Sequence, residues 1–274
     1  MSTFAAIDTG TESRTLLRAD DPAPVTVLNA TARARAVIVC DHGGDAVPRA
    51  LNGLGLDPSI RARHIAWDIG AADVARRLAA RMALPAVLAR YSRLVIDLNR
   101  PLDDLTSIRE ISDGVVIPGN RRLTDDETEA RAAEIFRPYH AAVAAALDAC
   151  ATPVPAVISV HSFTPVMKGF ERPWHIGVLY NADARIARPL MSRLAAVPEV
   201  TVGDNLPYSG YDLFGNTIET HAMPQGRPNI LLEIRQDLID TRHGAEKWAG
   251  IVADALAPVL ADADLYRVFG NQEA

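Results

Sequence analysis

The segment Asp41-His-Gly-Gly-Asp45 places a histidine and a carboxylate three positions apart on a loop with two glycines. Such a pair can turn inward onto one cation, because glycine allows the backbone conformations a tight turn demands. On its own the pattern more often marks a polar loop after a strand. A second histidine, His161 in Ser159-Val-His-Ser-Phe163, directly follows an apolar run and so stands at a sheet edge. On its own it could be satisfied by backbone carbonyls. Together, His42, Asp45 and His161 match a three-ligand catalytic zinc site with a fourth position open to water. Zinc there would lower the pKa of water to about 7 and polarise a carbonyl. Imidazoles with a carboxylate suit zinc better than magnesium or calcium, which prefer oxygen shells. His64 and Asp68, four apart at the start of a helical pattern, share one face. They could supply a ligand or orient one by hydrogen bonding, or simply bond along the helix. Asp68 is therefore the alternative carboxylate ligand to Asp45, and Asp97 a further one.

Glu233 lies in the apolar run Leu231-Leu-Glu-Ile-Arg235. Burying a carboxylate there is costly unless it is paired or functional. Beside a metal it could serve as general base and then protonate a leaving amine; the ordinary alternative is an ion pair with Arg235 or another arginine. The densest polar stretch is Tyr91 to Pro101, where Arg93 and Arg100 flank Asp97 and Asn99. An arginine fork matches a carboxylate bidentately, and a nearby amide adds a donor, as a site for an acidic substrate needs. Asp97 could equally hold an arginine in a structural ion pair. The long polar stretch from Asp204 to His221 has the make-up of a specificity loop and offers Tyr208, Tyr211 and His221 to a substrate. The alternative for these three is surface packing. His140, His175 and His243 read as structural, and Cys40 and Cys150 as small apolar residues.

The elements that must position these groups alternate. Strand-length runs cover 36–41, 85–89, 93–98, 154–160, 175–180 and 230–234. Helical spacing covers 60–82, 183–196 and 244–261. Thr124-Asp-Asp-Glu127 is a capping-box pattern opening a helix to about Cys150, with Pro138 expected to kink it. The alternation predicts an α/β fold with a mainly parallel or mixed sheet and helices on both faces. Its site should lie beyond the carboxyl ends of the strands, where the candidates fall. The chain has 274 residues, and nothing in its composition marks a linker, so one domain over 26–270 is expected, with 1–25 loosely held. A net charge of −6 argues against nucleic acid and anionic membranes as partners. Two cysteines exclude a disulfide framework. The N-terminus lacks a secretory pattern, and no apolar run reaches the roughly 20 residues of a membrane helix, so a cytoplasmic location is expected.

The combination resembles the N-formylglutamate amidohydrolase family. The segments that carry the resemblance are VIVCDHGGDAVP, HIAWDIGAADVARRLA, YSRLVIDLNRP, DGVVIPGN, FRPYH, ISVHSF, NLPYSGYD and LLEIRQDLI, in order from about Ala36 to Ile239. The resemblance implies a phosphorylase/hydrolase-like α/β fold and metal-dependent hydrolysis of an N-formyl amide. The pattern is also similar to that of zinc carboxypeptidases and aspartoacylases. It implies that His42, Asp45 and His161 hold zinc, that Asn99 and Arg100 grip a substrate carboxylate, that Arg93 polarises the carbonyl and that Glu233 is the base. Close members often carry an amide where Asp45 stands, which keeps Asp68 as the alternative ligand. His64, Asp68, Asp97 and Arg235 are expected to support the site from behind. The implied substrate is a small acidic N-acyl amino acid, N-formyl-L-glutamate above all, in amino-acid metabolism such as histidine degradation. Another N-acyl amino acid, a short peptide, or a non-catalytic ligand-binding role are the alternatives.

Overall fold

The computed structural model describes residues 15–211 and 215–270. Its strands are β1 (Val25–Leu28), β2 (Ala36–Cys40), β3 (Ala86–Ala89), β4 (Ile111–Ser112), β5 (Val115–Val116), β6 (Ala156–Phe163), β7 (Val166–Met167), β8 (Phe170–Glu171), β9 (Ile176–Leu179), β10 (Val202–Asp204) and β11 (Asn229–Arg235). Its helices are α1 (Pro58–Arg61), α2 (Ala71–Met82), α3 (Asp125–Arg131), α4 (Arg137–Asp148), α5 (Ala187–Ala195), α6 (Asn216–His221) and α7 (Arg242–Ala261).

Seven strands form the central sheet in the order β1-β3-β2-β6-β11-β9-β10. Strands β3, β2, β6 and β11 are mutually parallel. Strand β1 is antiparallel to β3, and β9 to β11, so the sheet is mixed. The β2 run Ala-Val-Ile-Val-Cys is buried throughout, and the two-residue period of a strand explains why. Ala36, Ile38 and Cys40 pack with α2, α5 and α7, whereas Val37 and Val39 pack with α4 and residues 94–98. Both faces are covered, as a parallel sheet requires. The hairpins β4–β5 and β7–β8 stand apart from the sheet.

Several sequence expectations change here. The helix expected over 60–82 is two helices, α1 and α2, with turns between them. Gly70 separates them at φ +79°, and a Cβ there would meet the Ile239 carbonyl oxygen at 2.2 Å. Residues 93–98 form turns instead of a strand. Local bonds compete with a ladder: Leu94 N–H donates to Ser92 Oγ at 3.1 Å and Asn99 N–H to Asp97 Oδ1 at 3.0 Å. The capping box at Thr124 and Glu127 is present. The helix it opens bends through a π turn at Ala132–Phe136, just before Pro138, which has no N–H to give. His161 lies inside β6, not after it. Of the segment expected to be loose, residues 1–14 lie outside the described residues. Leu16 and Leu17 are anchored, their N–H groups donating to the Glu134 carboxylate at 2.7 and 2.8 Å. No helix among the described residues is long and apolar enough to cross a membrane.

Candidate active site

The carboxyl ends of β2, β6 and β11 meet under one cleft. His42 follows β2 on a loop laid beside residues 90–92. Ala46 N–H donates to the Arg90 carbonyl at 3.2 Å, and Ser92 N–H to the Ala46 carbonyl at 2.8 Å. Gly44 permits that contact, since a Cβ there would lie 2.2 Å from the Arg90 carbonyl carbon. Glu233 on β11 sits opposite His161 on β6 in the ladder register. Asp68 arrives from the turns after α1, its N–H donating to the His42 carbonyl at 2.8 Å.

His42, Asp68 and His161 are buried, and one donor atom from each lies within 4.8 Å of the others. His161 Nδ1 is 2.9 Å from Asp68 Oδ2, and His42 Nδ1 is 3.6 Å from the same oxygen. The far ring nitrogens are held from behind. His42 Nε2 is 2.7 Å from Asp97 Oδ1. His161 Nε2 is 3.0 Å from Ser159 Oγ and 3.3 Å from Asp41 Oδ2. Such backing fixes tautomer and ring orientation in metal-binding histidines. Asp41 is itself fixed, accepting from the Tyr139 hydroxyl on α4 and from Thr217 Oγ1 on α6 at 2.9 Å.

Charge makes the same point. Asp41, Asp68 and Asp97 contact the two imidazoles, and Arg93 bridges Asp68 at 3.4 Å and Asp97 at 3.2 Å. Three carboxylates against one guanidinium leave two negative charges, the complement of a divalent cation held by neutral imidazoles. Buried His42 Nδ1 makes no hydrogen bond, as expected of an atom reserved for a ligand. The residues therefore fit a divalent metal. Without one, protons fill the gap. Burial opposes a charge on His161, but hydrogen bonds to Asp41 and Asp68 outweigh it and hold the pKa well above the ordinary value. Burial likewise opposes a charge on Asp68, yet the hydrogen bond from His161 and the positive character of His42 and His161 beside it hold its pKa well below the usual range.

Glu233 differs from these carboxylates. Burial pushes its pKa up to about 7, and its Oε2 is buried with no hydrogen-bond partner. The anticipated alternative, an ion pair with Arg235, is absent: Arg235 bonds to Asp237 at 2.8 Å and to the Arg172 carbonyl at 3.3 Å. Arg235 thus supports the 172 and 237 loops and does not touch the cluster.

The cleft above the cluster has a volume of about 1260 Å³ and is also lined by His64, Arg93, Asn99, Arg100 and Tyr208. His64 Nδ1 lies 3.9 Å from Asp68 Oδ1. The oxygen of the Asn99 amide accepts Thr217 N–H at 3.1 Å, leaving the donor half without a hydrogen bond among the described residues. Arg100 makes no ion pair among the described residues. Tyr208 is steadied by Arg172, whose Nη1 is 3.3 Å from the phenol oxygen.

Three expected site residues are elsewhere. Asp45 is exposed and outside the ligand group, because its loop turns away along residues 90–92; Asp68 takes the carboxylate position. Tyr211 is 62% exposed and packs edge-on against Tyr180, not on the cleft wall. His221 is buried against His140, its Nε2 2.9 Å from His140 Nδ1. Asp41, Tyr139, Ser159 and Thr217, which fix His161, were given no such part by the sequence. The one usable signal was an acid directly joined to a strand-end histidine.

A mixed α/β sheet thus carries at its strand ends a metal-competent cluster and a buried glutamate whose Oε2 has no hydrogen-bond partner among the described residues, groups of the kind that hydrolases use. The particular family follows from similarity. The profile of the N-formylglutamate amidohydrolase family matches residues 34–240, and the chain belongs to that family. A crystal structure of a gene product from Agrobacterium tumefaciens is similar at 33% identity and a TM-score of 0.84, over 90% of this chain and 98% of that one. The N-formylglutamate amidohydrolase from Ralstonia eutropha shares the fold at 19% identity and a TM-score of 0.61, over 88% of this chain and 98% of that one. No curated protein gives a significant match.

Proposed function

We propose that the chain is a zinc-dependent amidohydrolase that cleaves the N-formyl amide of an acidic amino acid, N-formyl-L-glutamate in the first instance, to formate and L-glutamate. The observation that carries this reading is the His42–Asp68–His161 group with Glu233 unpaired beside it at the floor of a polar cleft. His42, Asp68 and His161 would hold the ion, and two imidazoles with one carboxylate favour zinc. When bound, such an ion supplies Lewis acidity to the amide carbonyl and to water.

The residues of the chain do the rest. Glu233 takes a proton from the attacking water and passes it to the departing amide nitrogen. A pKa near 7 suits a group that must both accept and return a proton near neutrality. Arg93, fixed by Asp68 and Asp97, has donors left over and stabilises negative charge developing on the carbonyl oxygen. Arg100, with the Asn99 amide, binds a substrate carboxylate. Tyr208, held by Arg172, lines the same cleft. We place the reaction in the cytoplasm, within amino-acid breakdown.

The test is formate release from N-formyl-L-glutamate by purified protein, with metal analysis, chelation and add-back of zinc. Release that chelator abolishes and zinc restores supports the reading. A protein that carries no metal and hydrolyses the substrate in chelator refutes the metal-dependent route.

A further inference from the structure

Five cations line the cleft: Arg63, Arg93, Arg100, Arg109 and Lys168. Arg93 is committed to Asp68 and Asp97, and Arg63 pairs with Asp113 at 3.0 Å. Lys168 is exposed in the turn between β7 and β8. Arg100 has its assignment above. Arg109 is left over, and its surroundings are unusual. It is half-buried, forms no ion pair among the described residues, and there its side chain makes one weak bond, Nε to the Thr106 carbonyl at 3.4 Å. Burial draws its pKa below the ordinary guanidinium value, and the charges of Arg93 and Arg100 add to this, while Asp97 and Asp104 oppose it. A guanidinium set among like charges and partly out of water is costly unless an anion joins it.

The backbone around Arg109 is built to hold it there. Asn120 Nδ2 donates to the Arg109 and Leu94 carbonyls, each at 2.8 Å. Asn120 is fixed in turn by buried Arg131, whose Nη1 reaches Asn120 Oδ1 at 2.7 Å and the Val95 carbonyl at 2.8 Å. Asp97 N–H donates to the Ser107 carbonyl at 2.7 Å. These bonds tie the loop carrying Arg93 and Arg100 to the loop ending in Arg109, so the backbone positions from which the arginines reach into the cleft are set before any ligand arrives. Pre-set donors bind a rigid pair of charges with less ordering cost than mobile ones.

Resting on the function proposed above, we infer that Arg109 is a specificity-determining residue: it binds the second carboxylate of a dicarboxylic N-acyl amino acid, while Arg100 binds the first. The site then selects an acidic side chain over its amide isostere.

The experiment compares kcat/KM for N-formyl-L-glutamate and N-formyl-L-glutamine in wild type, Arg109→Gln, Arg109→Lys and Lys168→Gln. The wild type is expected to prefer the dicarboxylate by about 10- to 100-fold, the worth of one charge-assisted bond. Arg109→Gln should collapse that ratio, and Arg109→Lys should restore part of it. A ratio in Arg109→Gln equal to wild type, or one that collapses only in Lys168→Gln, overturns the inference. Calorimetric binding of glutarate against butyrate reads the same preference without turnover. If no formyl amino acid is hydrolysed yet the glutarate preference disappears with Arg109, the function fails and the carboxylate site stands. If hydrolysis occurs and the preference ignores Arg109, the site fails and the function stands. Should Arg109→Gln not fold, Arg109→Lys decides: an undiminished preference for N-formyl-L-glutamate over N-formyl-L-glutamine, together with an undiminished preference for glutarate over butyrate, overturns the inference.

Discussion

The molecule holds two histidine pairs of opposite character. His42 and His161 meet edge-on, ring centroids 5.0 Å apart and planes at 75°. His140 and His221 stack, centroids 5.2 Å apart and planes at 15°. The first pair is backed by Asp97 and Asp41 and shares Asp68, so its free nitrogens converge and His161 favours the proton. Among the described residues the second pair makes no hydrogen bond or ion pair with a carboxylate. His140 Nε2–H donates to the Leu98 carbonyl at 3.0 Å, which leaves His140 Nδ1 to accept from His221 Nε2–H. Burial, with His140 alongside, pushes the His221 pKa down to about 4. Similar rings at similar spacing thus become a metal-competent cluster or a neutral strut according to the carboxylates around them.

The largest break in this contrast is loss of Asp68. Asp68→Ala should empty the first pair of metal and lower turnover by about 10⁴-fold or more, since the ligand and the Lewis acidity it holds go together. Metal content and formate release on one sample check this; a variant that keeps full metal would return the ligand role to another carboxylate. Glu233→Gln separates chemistry from binding. Metal content should stay at the wild-type level while turnover falls by about 10³-fold. The same variant should stabilise the metal-free fold above pH 7. The folded pKa of Glu233 is about 7, above its ordinary value of 4.5, so the wild type loses stability as pH rises through that window, by about 3 kcal/mol. Thermal unfolding at pH 5 and pH 8 reads the difference, and equal shifts at both pH values would contradict it. Asp41→Asn should weaken metal affinity by about 10- to 100-fold without removing a ligand, because it loosens His161 from behind. An unaltered metal titration would show that Ser159 alone holds the ring.

The contrast between the pairs also marks where sequence stops being legible. Strands β2, β6 and β11 and the capping box at Thr124 are local signals, and so His42, His161 and Glu233 could be placed near the carboxyl ends of strands from the chain alone, His161 two residues short of the end of β6 rather than beyond it. Which carboxylate joins them could not be decided there, where Asp45 stood first and Asp68 as the alternative. Asp45 is near His42 in sequence, but Asp68 is near it in space, because the chain turns at Gly70 against Ile239 and docks Asp68 N–H on the His42 carbonyl. His140 and His221, 81 positions apart, meet only because α4 and α6 are packed on the same side of the sheet. A histidine on an alanine-rich helix and another in a polar stretch carry no local trace of that pairing. Arg109 was silent for a similar reason: its distinction is the absence of a partner among the described residues.

The smallest expected effect falls on the second pair, and it sharpens the comparison most. His221→Gln removes a ring but leaves groups able to bond His140, so metal content and turnover should stay near wild type at pH 7. Stability should fall by about 1 kcal/mol, or roughly 2–4 °C in Tm. Acid behaviour is the diagnostic. The folded pKa of His221, about 4, lies below its ordinary 6.5, so between those values the unfolded chain binds more protons. Wild-type stability is therefore present above pH 6.5 and lost as pH falls through 4, by about 2–3 kcal/mol. Glutamine does not titrate, so the variant should lose less on going from pH 7 to pH 4, and its Tm deficit should shrink or reverse. A deficit that stays constant across that range would mean that His221 is not the buried neutral base the stacked geometry requires. A loss of metal in the variant would mean that the two pairs act as one unit through Asp41, Thr217 and Tyr139, and the division drawn between them would fail.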